Sequence, residues 1–234
     1  MSGKLYIIAT PIGNMEDITL RALRILKEET DIVYCEDTRQ TAKLLNNYDI
    51  HVPARSLHTH SSKARLQSII QELESGKTIA YLTDSGTPGI SDPGGQLVAL
   101  ARKHNICVIP VPGASAVTAI ISVCGFPATQ FYFAGFLSKK DGKRKNQLQK
   151  LSQLDAIIVL YESPYRILKL LHAIAEVMPQ AQILIGREMT KHFEEFIYCT
   201  AGDIEDIAAT LTQKGEFVVA VYNSLKNVDV DDRK

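Results

Sequence analysis

The stretch TIAYLTDSGTPGISDPG, residues 78–94, decides the fold of this chain. Residues 78–82 are a short apolar run of the kind that forms buried strands. Residues 83–94 form a glycine-rich loop, and QLVALAR, residues 96–102, has helical spacing. Strand, loop and helix in this order are the repeating unit of α/β folds. The loop contains no lysine or arginine but two aspartates, Asp84 and Asp92, so it differs from the loops that bind phosphate.

The same alternation extends in both directions along the chain. Apolar runs at 5–9, 31–35, 78–82 and 106–111 predict strands, and helical patterns near 17–28, 38–47, 62–74 and 95–104 lie between them. Continuous apolar strands separated by helices favour a mostly parallel sheet that is covered on both faces. Further strands are predicted at 130–137, 156–161, 181–186, 194–200 and 215–222. We therefore predict two α/β domains, residues 1–124 and 125–234, with a basic loop at 139–145.

Composition narrows the class of protein. The chain has 234 residues, 45% of them hydrophobic, and 26 basic residues balance 26 acidic ones. A neutral chain lacks the global positive field of many nucleic-acid-binding proteins, although a local basic patch remains compatible with it. The four cysteines form no close pairs in sequence, and we expect Cys35 and Cys107 to be reduced and packed inside strands. The apolar runs are too short for a signal peptide or a membrane span. The expectation is a soluble, cytoplasmic protein.

Unusual loops follow all four predicted strands of the first half. They are TPIGN (10–14), EDTR (36–39), the loop at 83–94 and PGAS (112–115). Each alone could be a turn or a helix cap. If the sheet is parallel, all four lie at the edge where α/β proteins bind ligands. We therefore predict a ligand site at this edge.

The loop chemistry favours an adenosine ligand without phosphate. Glycine-rich backbone can approach an adenine closely, and an aspartate can accept hydrogen bonds from ribose hydroxyls or an ammonium group. No first-half loop has the spacing of a dinucleotide-binding or P-loop motif, which argues against a pyrophosphate. S-adenosylmethionine combines adenosine, an amino acid and a positive charge, so it is the candidate cofactor. Asp92, next to Pro93, is expected to cap the following helix.

Nine motifs together resemble a known family. TPIGNMEDIT, EDTR, LHTH, DSGTPGISDPG, VPGASAVTA, GFL, YESPYR, REMTK and GEFVVAV occur in the order seen in the ribosomal RNA small subunit methyltransferase I family, within the tetrapyrrole methylase superfamily. The resemblance runs from about residue 4 to residue 222. The chain differs in having DSGTPG for the commoner DAGTP. It also has only NSLKNVDVDDRK after the last strand, where many members carry an additional basic segment.

The resemblance implies a fold, a cofactor and an activity. The fold would be two α/β domains with S-adenosylmethionine in the cleft between them, and the protein would be a homodimer. The activity would be methylation of the ribose 2′-hydroxyl of a cytidine in small-subunit (16S) ribosomal RNA. On matching positions, the implied cofactor residues are Pro11, Gly13, Asp84, Ser85, Gly86, Thr87, Ile90, Ser115, Ala116, Tyr161 and Met189, with Glu162 close by.

Charged residues after predicted strands are the candidates for catalysis. A ribose hydroxyl is weakly acidic, so a carboxylate that takes or orients its proton would assist transfer. Glu162, Asp37 or Glu36 could do this, and Arg39, Arg187 and Lys191 could hold phosphate or stabilise the developing negative charge. Alternatively, these mixed charges form ion pairs and helix caps.

Substrate contacts are predicted at a histidine motif and at the basic loop. His58 and His60 form an H-x-H pair, but no third ligand stands at a supporting spacing, so we predict substrate contact and no metal. The basic loop, which could hold RNA phosphates, contains Lys139, Lys140, Lys143, Arg144 and Lys145. Two other functions remain open: a tetrapyrrole C-methyltransferase, and a non-catalytic cofactor-binding or RNA-binding relative.

Overall fold

A computed structural model describes residues 3–58, 61–90, 92 and 94–224. It divides the chain into two compact units, Met1–Ser115 and Ala116–Lys234. The sequence places the domain boundary after residue 124. The difference is the helix Ala116–Cys124, which packs on strands of the second unit.

The first unit is a parallel sheet with helices on both faces. Its elements are β1 Lys4–Ile8, α1 Leu20–Glu28, β2 Ile32–Cys35, α2 Thr38–Asn47, β3 Ala54–Ser56, α3 Lys63–Glu74, β4 Ile79–Leu82, α4 Gly94–Lys103 and β5 Cys107–Val111. The strand order is β3-β2-β4-β1-β5, and every neighbouring pair is parallel. The predicted parallel sheet is confirmed. β3 is an additional strand, too short and too exposed to be predicted from hydrophobicity.

Burial on both faces explains the uninterrupted apolar strands. One core cluster joins alternate residues of β1, β2 and β4 to α1 and α2, and a second joins the intervening residues to α3 and α4. Side chains of Thr19, Asp37 and Ser62 accept backbone hydrogen bonds at the first turns of α1, α2 and α3. These caps fix where the helices start and therefore how far each preceding loop extends.

The second unit contains a mixed sheet. Its elements are α5 Ala116–Cys124, β6 Phe131–Phe136, α6 Asp141–Leu151, β7 Ile157–Glu162, α7 Ile167–Val177, β8 Gln182–Arg187, β9 Glu195–Thr200, α8 Ile204–Thr210 and β10 Phe217–Tyr222. The order is β6-β7-β10-β8-β9; only β6 and β7 pair in parallel. Helices α6, α7 and α8 share one core cluster with the sheet. Helix α5 packs on β8 and β10.

Two predictions of local structure are wrong. Residues 141–145 are the start of α6 rather than a loop, because Leu148 and Leu151 further along give this basic segment an apolar side that packs into the core. Cys107 is exposed, because β5 is an edge strand and this residue is its first. Cys35 is buried and free, as predicted. None of the helices within the described residues is both long and apolar enough to cross a bilayer.

Candidate functional site

The loops after β1 and β4 are joined by backbone hydrogen bonds at the carboxyl edge of the parallel sheet. The amide of Thr10 donates to the carbonyl of Gly86 at 2.9 Å, and the amide of Gly86 donates back at 3.1 Å. The buried hydroxyl of Thr10 also donates to the carbonyl of Thr83 at 3.1 Å. Two of the four predicted ligand loops therefore form one rigid piece of backbone.

The loop after β2 is attached to the same piece. The hydroxyl of Thr83 donates to Oε1 of Glu36 at 2.6 Å, and the amide of Asp37 donates to Oδ1 of Asp84 at 2.9 Å. Asp84 therefore orients the start of α2 with one carboxylate oxygen. Its side chain is at the surface. These contacts place Glu36, Asp37 and Asp84 next to one another, as the convergence of parallel strands predicts.

The loop after β5 completes the edge. The hydroxyl of Thr87 donates to the carbonyl of Ala114 at 3.0 Å. Gly86 has a φ of +80°, and a Cβ there would lie 3.3 Å from Cγ2 of Ile12. A Cβ on Gly113 would lie 3.0 Å from Cβ of Ala9. Glycine suits Gly86 because of its positive φ and the nearby Ile12 side chain, and it suits Gly113 because Ala9 leaves no room for a Cβ.

Asp84 and Asp92 have different structural roles. Oδ2 of Asp92 accepts from the amides of Gly89 and Ile90 at 2.5 and 3.1 Å, and Oδ1 accepts from Gly94 at 2.8 Å. Gly94 is the first residue of α4, so Asp92 caps that helix as predicted. Asp92 closes the loop on itself, whereas Asp84 reaches across to the neighbouring loop. Of these two aspartates, Asp84 is exposed at the sheet edge and Asp92 is half-buried.

The predicted cofactor residues of the first unit lie on these loops and differ in their exposure to solvent. Gly86 is buried, Gly13, Asp84 and Ser85 are exposed, and the half-buried residues are Pro11, Thr87, Ile90 and Ser115. Lysine and arginine are absent from 9–14, 83–94 and 112–115. These three loops therefore offer backbone groups, hydroxyls and a carboxylate. This donor set suits a cationic adenosine ligand and is unsuited to a phosphate.

Both carboxylate oxygens of Asp37 accept hydrogen bonds from Arg39. Nε of Arg39 lies 3.0 Å from Oδ1 of Asp37, and its Nη2 lies 2.7 Å from Oδ2. Asp37 also caps α2 by accepting from the amide of Arg39 at 2.8 Å. The side-chain hydrogen bonds from Arg39, reinforced by its backbone amide, lower the pKa of Asp37 to about 2. Such a carboxylate is a weak base at neutral pH, so the geometry favours a positioning role over proton abstraction.

Glu162 is a buried carboxylate at the carboxyl end of β7 in the second unit. Its Oε1 lies 2.6 Å from Nη2 of Arg166 and accepts from the amide of Ser163 at 2.7 Å. Its Oε2 is buried without a hydrogen-bond partner among the described residues. An orphaned buried carboxylate oxygen is costly, so it marks a position where a bound group would restore the missing contact. A ligand reaches this atom only if neighbouring side chains move.

Tyr161 and Met189 lie near the same end of the second sheet. The ring of Tyr161 is half-buried between Phe133 and Phe136, with centroid distances of 4.8 and 5.7 Å, and burial raises its pKa. Met189 is buried, and its Sδ would lie 2.7 Å from a Cβ on Gly186. Gly186 therefore provides the space into which the Met189 side chain folds. Ala116 is the half-buried first residue of α5.

The loop after β8 holds its charges in ion pairs. Nε of Arg187 lies 2.7 Å from Oε2 of Glu195. Lys191 lies 3.0 Å from Oε1 of Glu188 and 2.9 Å from Oε2 of Glu216. Burial alone would lower the pKa of Lys191, but these two hydrogen bonds raise it.

The backbone of this loop is unusual. Glu188 and Thr190 have positive φ values of 49° and 67°, although neither is glycine. Left-handed residues of this type are uncommon and concentrate at functional sites. The carboxylate of Glu188 accepts from the amide of Glu216 at 2.9 Å and holds the loop against the start of β10.

The basic segment differs from the predicted phosphate-binding loop. Lys139, Lys140 and Lys143 are exposed. Arg144 is buried, with 3% of its surface exposed, and its Nη2 lies 2.5 Å from Oδ1 of Asp141. Its Nε has no partner within the described residues. Arg144 is therefore a poor phosphate ligand, because the backbone at this point is helical and turns the side chain towards the core.

Lys145 and His58 have ordinary surface contacts. Lys145 lies 2.6 Å from Oε2 of Glu176 and 3.3 Å from Oδ2 of Asp141, and these hydrogen bonds raise its pKa. His58 is exposed just after β3, which places it at the carboxyl edge of the parallel sheet. His60 lies outside the described residues. Within the described ranges, no three histidine, cysteine, aspartate or glutamate side chains are grouped to hold a metal ion.

Several residues that shape the site are not predicted from the sequence. Thr10 and Thr83 join neighbouring loops, and Arg166 neutralises Glu162. The i,i+4 spacing of Glu162 and Arg166 in YESPYR could have indicated this ion pair. Thr10 and Thr83 carried no such signal, because their partners are distant in sequence.

Comparisons with known proteins place the chain among methyltransferases. Residues 4–205 match the family model described as Tetrapyrrole (Corrin/Porphyrin) Methylases. A Leptospira biflexa protein named "Ribosomal RNA small subunit methyltransferase I" is 42% identical over 226 residues, covering 97% of this chain and 93% of its own length. A Thermotoga maritima protein of the same name is 45% identical over 194 residues, covering 83% and 86%.

A solved structure extends the likeness to the fold. The uroporphyrin-III C-methyl transferase of Thermus thermophilus complexed with S-adenyl homocysteine is 16% identical and has a TM-score of 0.64. The match covers 93% of this chain and 97% of that chain. Together with the family match, it confirms the predicted tetrapyrrole methylase fold.

Proposed function

This chain belongs to the ribosomal RNA small subunit methyltransferase I family of the tetrapyrrole methylases, and from that premise we propose its reaction. It transfers the methyl group of S-adenosylmethionine to the ribose 2′-hydroxyl of a cytidine in small-subunit ribosomal RNA. The observation that carries the proposal is identity above 40% to relatives bearing that name over most of the chain. The linked loops at the carboxyl edge of the first sheet support it independently.

The residues at that edge fit the cofactor. Gly86 and Gly113 keep the backbone free of side chains where the loops pack, and the carboxylate of Asp84 is exposed beside them. When bound, S-adenosylmethionine supplies an electrophilic methyl group. Asp84 would accept hydrogen bonds from ribose hydroxyls or from the ammonium group, and the backbone groups of 85–87 and 114–116 would bind the adenosine.

The charged loop after β2 would position the RNA. Arg39 is largely exposed and is held in place by Asp37, so its remaining N–H groups are oriented towards solvent for a phosphate. Glu36 is held by the hydroxyl of Thr83. The low pKa of Asp37 makes it the orienting member of the pair.

Glu162 is the best candidate for the carboxylate that orients the acceptor hydroxyl. Arg166 and the amide of Ser163 satisfy one oxygen, while the other oxygen has no partner within the described part of the chain. Arg187 and Lys191 are saturated by Glu195, Glu188 and Glu216, so we assign them to maintaining the shape of the loop after β8.

A methyl-transfer assay tests the proposal. Small ribosomal subunits from cells lacking this protein are incubated with it and with S-adenosylmethionine carrying a labelled methyl group. The expected product is one labelled cytidine ribose. Label on a tetrapyrrole substrate and not on the subunits would support a C-methyltransferase instead. Cofactor binding without any transfer would support a non-catalytic relative.

Variants of the charged residues test the assigned roles. Asp37→Ala, Arg39→Ala and Glu162→Gln are each expected to reduce transfer while the affinity for S-adenosylhomocysteine is retained. Unchanged turnover in all three variants would remove this assignment. We also propose that the protein is a homodimer located in the cytoplasm, where its ribosomal substrate is assembled. Sedimentation equilibrium tests the dimer.

A further inference from the structure

Strand β6 carries large aromatic side chains on an open edge of the second sheet. Among the described strands it pairs only with β7, and Phe131 and Phe136 are 52% and 55% exposed. Rings exposed to this degree at both ends of one strand are unusual for a soluble domain and point to an interaction surface. Phe133, between them, is half-buried.

A β-bulge brings these rings onto one face. Phe131 and Phe133 pair with Ile157 and Val159, but the register then shifts so that Phe136 pairs with Tyr161. Without the shift, simple alternation would place Phe136 on the face opposite Phe131 and Phe133. The shift includes Gly135, whose φ of +63° suits glycine. The result is an aromatic row, defined as Phe131, Phe133, Phe136 and Tyr161.

The aromatic row lies on the face that helices α6, α7 and α8 leave uncovered. Ile158 and Leu160, the intervening residues of β7, belong to the core cluster formed with those helices. Tyr132 pairs with Ile158 and therefore points to that other face, although it is 50% exposed. Tyr132 thus provides a natural control of equal exposure on the same strand.

Positive charge follows the row along the chain. Lys139, Lys140 and Lys143 are exposed, and none forms an ion pair with another described residue. Lys145, which has acidic partners, lies just beyond them. Lys139 and Lys140 therefore follow the row in the loop after β6, whereas Lys143 lies on α6, which packs against the opposite face of the sheet.

We propose that the aromatic row, together with Lys139 and Lys140 in the loop that follows it, binds an unpaired segment of RNA, an inference that rests on the proposed function. Bases stack on aromatic rings whatever their sequence, and ammonium groups attract the phosphates between them. A second copy of the chain is the less favourable occupant, because a two-fold interface at this patch would bring the same uncompensated lysines of both copies together. An unpaired segment is also what a 2′-O-methyltransferase needs, since its target ribose must be accessible.

The test measures affinity for a short fluorescent single-stranded RNA of mixed sequence and for the same RNA annealed to its complement. Phe131→Ala and Phe136→Ala are each expected to weaken single-strand binding about tenfold, with the duplex affected little. Tyr132→Ala is expected to leave both affinities unchanged. Replacing Lys139 and Lys140 by alanine should weaken both affinities and reduce the slope of log affinity against log salt by about 0.7 per lost phosphate contact.

Further variants separate stacking from general apolar burial. Phe136→Leu keeps much of the apolar surface and is expected to bind as poorly as Phe136→Ala, whereas Phe136→Tyr should restore binding. Phe131 has no ring contact with Tyr161 among the described contacts. Replacing Phe131 should therefore leave the affinity for S-adenosylhomocysteine unaltered. Circular dichroism verifies that each variant is folded.

Three outcomes would overturn the inference. They are unchanged single-strand affinity in both phenylalanine variants, an equal loss in Tyr132→Ala, and a loss of dimer in Phe131→Ala that by itself accounts for weaker RNA binding. The proposed function fails separately. If the parent protein binds RNA through the row yet transfers no methyl group to small subunits, the proposed reaction is wrong and the proposed RNA-binding surface is supported. If it methylates subunits normally in both phenylalanine variants, the surface is wrong and the reaction stands.

Discussion

Replacing Arg166 by methionine isolates the energetic role of the ion pair at the end of β7. In the parent chain Nη2 of Arg166 lies 2.6 Å from Oε1 of Glu162, whose side chain is 1% exposed, while the Arg166 side chain is 18% exposed. Methionine keeps most of the volume of the arginine stem but removes the charge. The carboxylate would then be buried with only the amide of Ser163 as donor.

The size of the effect follows from burial. Removing one partner of a buried pair costs about 3–5 kcal/mol, because an uncompensated charge is left in the protein interior. Arg166 retains some contact with water and the Ser163 amide remains, so we expect a loss near the lower limit, about 3 kcal/mol. Arg166 also donates to the carbonyl of Leu137 at 3.4 Å, a long contact that adds little.

The assay is urea unfolding monitored through amide hydrogen exchange in β7. This readout reports on the second unit by itself. Lys145→Met is the matched control in the same unit. Lys145 also lies 2.6 Å from its partner, Glu176, but their side chains are 30% and 61% exposed, so the loss should be far smaller. The double variant Glu162→Gln, Arg166→Met leaves no buried charge and should recover most of the stability. A cost for Arg166→Met no larger than that of the control, or additive costs in the double variant, would refute the reasoning.

Three further predictions concern the first unit. Gly86 has a φ of +80° and a neighbouring side chain 3.3 Å from the position of a new Cβ, whereas Gly89 has a φ of +89° and open space around it. Gly86→Ala should therefore weaken S-adenosylhomocysteine binding in calorimetry more than Gly89→Ala does. Equal effects of the two variants would contradict the packing argument. The pKa of Asp37 is lowered to about 2, below its unfolded value of about 3.9, so its stabilisation is present above about pH 4 and is lost as the pH falls towards 2. Asp37→Asn should therefore lower the urea midpoint by a constant amount above about pH 5 and flatten its decline towards pH 2; an unaltered acid limb would count against the ion pair. Cys107 should be the single cysteine that reacts rapidly with a thiol reagent in the native protein, because the other three are buried. Cys107→Ser should abolish the rapid reaction. A second rapidly reacting thiol would show that one of the buried cysteines is accessible.

Local patterns are sufficient to predict most of the fold. The apolar runs predict nine of the strands found in the described residues, because a strand covered on both faces needs continuous hydrophobicity. β3 is missed since only three half-exposed residues form it. The start of α6 is mistaken for a loop because its charged residues outweigh the few apolar ones that anchor it, such as Leu148.

The site is predicted less completely, for a different reason. Convergence of four loops follows from parallel strand direction alone, so it is readable from the sequence. The partners of Asp84 and Glu162 are not. Asp84 is joined to Asp37, which is 47 positions away, and the buried state of Glu162 depends on how β7 and α7 pack. Likewise, Arg144 belongs to a basic run in sequence but turns inward once its backbone is helical.

The sequence by itself determined the alternation of strands and helices, the position of the glycine-rich loops and the family, because hydrophobic period and turn chemistry are local properties. The tertiary structure decided which charged side chains form ion pairs and which are exposed to solvent. It separated Asp92, which caps α4, from Asp84, which ties two loops together. It also brought Phe136 onto the same face as Phe131, through a register shift that alternation in the sequence does not reveal. Such contacts join residues through space, and their energy depends on burial, which no short stretch of sequence encodes.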